Sequence, residues 1–198
     1  MNINIKIKKL WQQFEKKHPS VAEFIVFFVL SNAITVVQLV LMPVFKGIFV
    51  KTRLVDISFQ VLQAGHNFGG SPYYIFDYPA GALGEGGGGG LAYFLAVQLT
   101  LAIAQVINFF AQRNVTFKSN GDIKKAAFWY VIAFVLITLG AAALQGVYKA
   151  PVYRLLINTW GMGKAGETIA DVVSMLINCA LSFWVYFPIL KIIFKKQE

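Results

Sequence analysis

Phe24–Phe45 reads FIVFFVLSNAITVVQLVLMPVF, 22 consecutive residues without Asp, Glu, Lys, Arg or His. A helix that crosses the hydrocarbon core of a bilayer needs about 20 such residues. Three further stretches share the property: Gly86–Gln112 with 27 residues, Ala126–Tyr148 with 23 and Val172–Leu190 with 19. Together the four hold 91 of 198 positions, and what remains is too scattered to fold as a separate soluble domain. The composition agrees: 57% of residues are hydrophobic and 14% charged, against about 25% charged in soluble domains. The sequence predicts a single all-α integral membrane domain over residues 1–198. Its four spans are 22–45, 91–112, 126–148 and 169–190, arranged as two helical hairpins.

A net charge of +9 would point to nucleic acid in a soluble protein. Here the basic residues flank apolar spans, so anionic lipid headgroups are the expected partner and nucleic acid is not. The single cysteine, Cys179, excludes an internal disulfide and reads as a small residue of the fourth span. No Cys/His cluster has metal-ligand spacing, and no cofactor motif occurs. Phe24–Phe45 is too long for a signal-peptide core and lacks a small-residue cleavage site.

Lysine and arginine set the orientation. The segments before span one, between spans two and three, and after span four hold twelve of these residues, Lys195 and Lys196 among them. The two alternate loops hold six, and the first of those loops also carries Asp56, Asp77 and Glu85. Both termini are therefore expected on the cytoplasmic side. Residues 1–20, with Ile5, Leu10, Trp11 and Phe14 among lysines, read as a basic amphipathic segment lying on the inner surface. The outer loop 46–90 is long. Its first part, Lys46–Gln63, has apolar residues at helical spacing and reads as an interfacial helix. Gly69–Tyr74 and the run Gly86–Gly90 read as flexible loop, the run serving as hinge or spacer.

An internal repeat is visible at a 70-residue offset: Ile107-Asn108 matches Ile177-Asn178, and Phe117 matches Phe187. Each half is then one hairpin, and the two halves are parallel, related by an axis along the membrane normal.

Polar residues interrupt each span on one side. Span two carries Gln98, Gln105 and Gln112 every seven residues, with Asn108 between them. Span four carries Asp171, Ser174, Asn178 and Ser182. Span one offers Ser31, Thr35 and Gln38, and span three Thr138 and Gln145. Unpaired amides and hydroxyls cost several kcal/mol in lipid, so these seams are expected to face inward. They suit either helix–helix hydrogen bonding, at about 0.6 kcal/mol each, or a polar cavity for a hydroxyl-rich ligand. Gln105, Asn108, Asn178 and Thr35 are expected to share that interior. Arg113 closes span two, and with Lys124 and Lys125 forms a cationic cluster at the inner face. Its guanidinium can snorkel to headgroups or hold a lipid phosphate bidentately. Asp171 suits an ion pair with Arg154 or Lys149, or a proton-coupling role.

Asn108-Phe109-Phe110-Ala111-Gln112-Arg113-Asn114-Val115-Thr116-Phe117 resembles the Asn-Phe-x-x-x-Arg-x-x-Thr-Phe signature of the GtrA-like family of small four-span membrane proteins. The likeness covers roughly residues 22–194. The outer loop is longer than the family's usual connection, and Val115 stands where many members have tryptophan. The resemblance implies movement of an undecaprenyl-phosphate-linked monosaccharide to the outer leaflet of a bacterial plasma membrane, where a separate glycosyltransferase uses it to decorate surface polysaccharide.

The resulting expectation is a flippase, not an enzyme. Arg113, Lys124 and Lys125 hold the phosphate. Gln105, Asn108, Gln112, Asn178, Thr35, Phe109 and Phe117 form the sugar groove, and Asp171 is a candidate coupling group. Four helices are few for a complete path, so a homo-oligomer is expected. The rival reading is a membrane scaffold that recruits a glycosyltransferase through the outer loop. A small multidrug exporter would need an embedded glutamate, and Glu23 lies only at the edge of span one.

Overall fold

The computed structural model describes residues 3–83 and 85–195. Lys196 lies outside that range, as does the side chain of Ile5. Helix α1 (Ile3–Lys17) ends at His18, whose non-helical backbone breaks the run, and Pro19 opens α2 (Pro19–Phe49). Proline suits that position because it lacks only an N–H that would have no helical partner. After a short hairpin region come α3 (Gly90–Ala111), α4 (Ile123–Arg154) and α5 (Gly163–Ile193). Helices α3 and α4 each end in a five-residue π-helical turn, Gln112–Thr116 and Leu155–Thr159. Helices α2 to α5 are long and apolar enough to cross a membrane, so the chain is a multi-pass membrane protein.

Helices α2, α4 and α5 overrun the charge-free stretches that mark them in sequence, while α3 starts inside its own. Lys46, Arg154 and Lys164 sit on terminal helical turns, where long cationic stems can reach headgroups without unwinding the backbone. Large apolar side chains such as Leu39, Leu136 and Trp184 point outward, as a lipid-facing surface requires.

Helix α2 packs along α3 and α4 along α5, the two hairpins expected from sequence. The packing surface of α3 is a row at four-residue steps: Ala92, Ala96, Thr100, Ala104, Asn108 and Gln112, all buried. Small side chains on one such ridge let backbones approach closely, the favoured contact in lipid. Helix α5 presents the equivalent row, with Gly166, Ala170 and Ser174 buried in it, Asn178 and Ser182 following, and Leu190 and Phe194 buried again at its end. The two rows coincide at the 70-residue offset seen in sequence. At the end that carries both termini, Phe27, Phe109, Phe117, Tyr130, Leu190 and Phe194 form the core. The repeat-related Phe117 and Phe187 meet there, ring centroids 6.1 Å apart. Ion pairs Lys118–Glu15 and Lys191–Glu23, each 2.7 Å, tie α1 to the α3–α4 connection and α5 to α2 at this end.

The segment 46–90 departs from expectation. No interfacial helix covers Lys46–Gln63: α2 runs on to Phe49, a single 3-10 turn follows at Arg53–Asp56, and Phe59 begins a strand. Strands β1 (Phe59–His66) and β2 (Pro72–Tyr78) pair antiparallel, Phe59 opposite Tyr78 and Val61 opposite Phe76. Alternation therefore wins over helical spacing. It places Phe59, Phe76 and Tyr78 on one face, where their rings pack around Phe94 of α3 at 4.2 to 5.6 Å. Lys149 of α4 lies over the Tyr73 ring, 6.0 Å from its centroid. Burial raises the Tyr73 and Tyr78 phenols above the ordinary tyrosine range, so both stay protonated at neutral pH.

Gly69–Tyr74 is ordered too: Asn67 closes the turn with its side-chain amide on Ser71 Oγ and the Pro72 carbonyl, and Pro72–Tyr74 belong to β2. Nor is the glycine run a spacer. The amides of Gly87 to Gly90 donate to the carbonyls of Ala82, Pro79, Gly81 and Pro79 in turn, and Leu91 donates to Ile57. A side chain at Gly90 would strike the carbonyls of Val55 and Ile57. The glycines are there because backbone meets backbone at the start of α3.

Candidate functional site

Five polar side chains inside the bundle form one row of hydrogen bonds. Thr116 Oγ1 donates to Gln112 Oε1 (2.6 Å), and Gln112 Nε2 to Asn108 Oδ1 (3.2 Å). Asn108 Nδ2 donates to Tyr130 Oη (2.9 Å), and Tyr130 Oη to Gln105 Oε1 (2.6 Å). Gln112 also donates to Ser31 Oγ and the Phe27 carbonyl of α2. Gln112 is fully buried and its bonds join α2 to α3, so it acts as helix–helix glue. Tyr130, in the middle of the row, is not prominent in the sequence. A phenol within an aromatic run gives no polar periodicity to read.

The row ends at a cavity of about 190 Å³. Thr35 and Gln38 reach it from α2, Gln105 and Asn108 from α3, and Cys179 and Ser182 from α5. Of the four residues expected to share one interior, Gln105 and Asn108 line this cavity, whereas Thr35 stands on its exposed side, its Oγ1 donating to the Ser31 carbonyl of its own helix. Asn178 stands one residue from the lining, its Oδ1 buried without a partner. Ser174 Oγ, one turn along α5, is likewise buried and unpaired. Such groups are costly in an apolar bundle, which marks α5 as a helix with unused hydrogen-bonding capacity. Cys179 faces this cavity and is more than filler. Phe109 and Phe117, expected in a sugar groove, stand instead in the aromatic core.

The basic residues separate. Arg113 turns back on its own connection: Nη1 donates to Asn114 Oδ1 (3.0 Å) and Nη2 to the Gly121 carbonyl (2.9 Å). Both terminal nitrogens thus close the turn between α3 and α4, in which Lys118 holds a left-handed backbone at φ +47°. Lys124 is exposed, while Lys125 lies at the mouth of a groove between α4 and α5. Asp122 caps α4 by accepting the Lys125 amide (2.7 Å).

Asp171 makes neither of the expected ion pairs. It accepts a short hydrogen bond from the Tyr153 hydroxyl, while Lys149 lies over the rings of Tyr73 and Tyr153. Tyr73 of β2 and Tyr153 of α4 offer the lysine a cation–π seat, and the Tyr153 hydroxyl gives Asp171 a neutral donor. Glu23 is paired with Lys191. Among the described residues no three His, Cys, Asp or Glu side chains gather as metal ligands would. Comparison with protein-family models, with curated proteins and with solved structures finds no match.

Proposed function

We propose that the chain moves a polyprenyl-phosphate-linked monosaccharide across the bilayer, as the GtrA-like signature at Asn108–Phe117 implies. The observation that carries this reading is the cavity walled by Thr35, Gln38, Gln105, Asn108 and Ser182 inside an otherwise apolar bundle. Sugars are recognised by side-chain amides and hydroxyls, and a packing interface has no need of a void. In this reading the hydroxyls enter the cavity, Lys124 and Lys125 attract the phosphate, and the polyprenyl chain stays in lipid. Arg113 shapes the turn that bears the lysines. Both termini face the cytoplasm of a bacterial cell, a second copy completes the path, and Asp171 remains a candidate coupling group. Without a nucleotide motif, movement follows consumption of the sugar on the far side or an ion gradient. Reconstituted into proteoliposomes, the protein should accelerate scrambling of an undecaprenyl-phosphate sugar over empty vesicles. Equal rates in the two preparations would sink the proposal.

One observation favours the second reading, a scaffold for a glycosyltransferase: segment 46–90 holds a folded two-stranded hairpin whose outer edges pair with no further strand among the described residues. Removing Gln60–Asp77 while leaving Val55, Ile57 and the glycine run in place separates the two. A scaffold would lose surface glycosylation with scrambling intact.

A further inference from the structure

Between α4 and α5, at the end that carries both termini, lies an open groove of about 790 Å³. Its α4 wall runs from the N-cap Asp122 through Trp129 to Leu136, 14 residue steps or about 21 Å of helix rise. One leaflet contributes about 15 Å of hydrocarbon, so the groove runs from headgroup level through one leaflet. Deep in it the walls are apolar, with Ala133, Leu136 and Ile189 facing the space. At the mouth stand Lys125 and Lys195. Asp122 is there too, but it is committed to the α4 amide, and the rim stays net positive. The groove opens toward lipid, since Leu136 and Ile192 are 65% and 75% exposed.

We infer that this groove seats the carrier lipid itself, a polyprenyl phosphate whose chain lies along α4 and whose phosphate sits between Lys125 and Lys195. Charge complementarity at the mouth and leaflet-deep apolar walls fix the class as a single-phosphate lipid. The choice of a polyprenyl chain rests on the transport reading above. Arg113 is then a positioning residue: its Nη2 holds the carbonyl of Gly121, which forms part of the same rim. The cationic residue of the signature thereby acts on the phosphate site through the turn it closes.

The test is native mass spectrometry of the purified full chain with added undecaprenyl phosphate, using phosphatidylglycerol as competitor. Wild type should retain the polyprenyl lipid against an equal concentration of phosphatidylglycerol. At about fivefold for each lysine near the membrane surface, Lys125→Gln with Lys195→Gln should weaken retention roughly 25-fold. Ala133→Trp should block it by filling the groove. Leu136→Trp, at an exposed position where the ring meets no core, repeats the block if the first variant folds poorly. Equal displacement by phosphatidylglycerol, or unchanged retention in folded tryptophan variants, would overturn the inference. The two proposals fail separately. Scrambling that persists while phosphatidylglycerol displaces the polyprenyl lipid equally, or while folded tryptophan variants still retain it, leaves transport standing and removes the groove, whereas specific retention without scrambling does the reverse.

Discussion

Replacing Gly146 by alanine sets a gain in α4 against a loss in the β-hairpin. Glycine in a helix interior is less favourable than alanine by about 1 kcal/mol, so the helix alone would be stabilised. The new methyl group, however, would overlap the Ala64 carbonyl and stand 2.7 Å from Tyr73 Cδ1. The tyrosine ring can swing aside, but the carbonyl belongs to β1 and can retreat only if the strand lifts. Overpacking of this kind costs about 1–3 kcal/mol. A two-stranded hairpin is marginal on its own, so the strands should open while the bundle holds. Hydrogen exchange across Phe59–His66 and Pro72–Tyr78 should then accelerate about 5- to 150-fold. Gly140 is the control: it lies in the same helix, and nothing stands within 4 Å of where its methyl would go. Gly140→Ala should raise bundle stability and leave hairpin exchange unchanged. Wild-type exchange in Gly146→Ala would refute the claim that backbone contact with α4 holds the hairpin down.

Gln112→Leu removes the bond accepted from Thr116 and the two that the Nε2 protons share among Asn108, Ser31 and the Phe27 carbonyl, and should cost about 2 kcal/mol at the average value for membrane bundles; a loss below about 1 kcal/mol in reversible unfolding would contradict the glue role. Arg113→Lys keeps the charge but not the fork, and should speed amide exchange across residues 114–121 about tenfold or more; unchanged exchange would show that the turn closes without it. Cys179, the only cysteine, lines the cavity and should react in the folded protein with a small charged thiosulfonate reagent, blocking scrambling. Reaction only after denaturation would mean that water does not reach the cavity.

The bundle is legible in sequence because lipid imposes a rule that composition obeys: charge is excluded over about 20 residues. Helix ends are less legible, since Lys46 and Arg154 look like loop residues although both lie on the last turns of their helices. The hairpin is missed for a specific reason. Ile48, Phe49, Leu54, Val55, Phe59 and Leu62 satisfy helical spacing, while the alternation that decides the structure lies in Phe59, Val61 and in Tyr74, Phe76, Tyr78. Gly86–Gly90 is ambiguous in principle, because a flexible spacer and a backbone crossing both require glycine. Only the carbonyls of Val55 and Ile57, about 30 residues away, distinguish them. At the candidate site the inward amides are foreseeable from their cost in lipid. The partner of Arg113 is not, because a backbone carbonyl leaves no mark in sequence.

The row from Thr116 to Gln105 has a sense as well as a length. Each member donates one hydrogen bond to the next, so the side-chain amides of Gln112, Asn108 and Gln105 are oriented together. Gln105 closes the series as an acceptor, its Oε1 taken by Tyr130. Its amide nitrogen can then donate into the cavity. The hydroxyl of Thr116, in the π-helical turn beside Arg113, thereby helps orient an amide about three helical turns away: on the Gln105 wall a guest's oxygen lone pairs meet a donor, while the Thr35 and Ser182 hydroxyls can accept from its O–H groups.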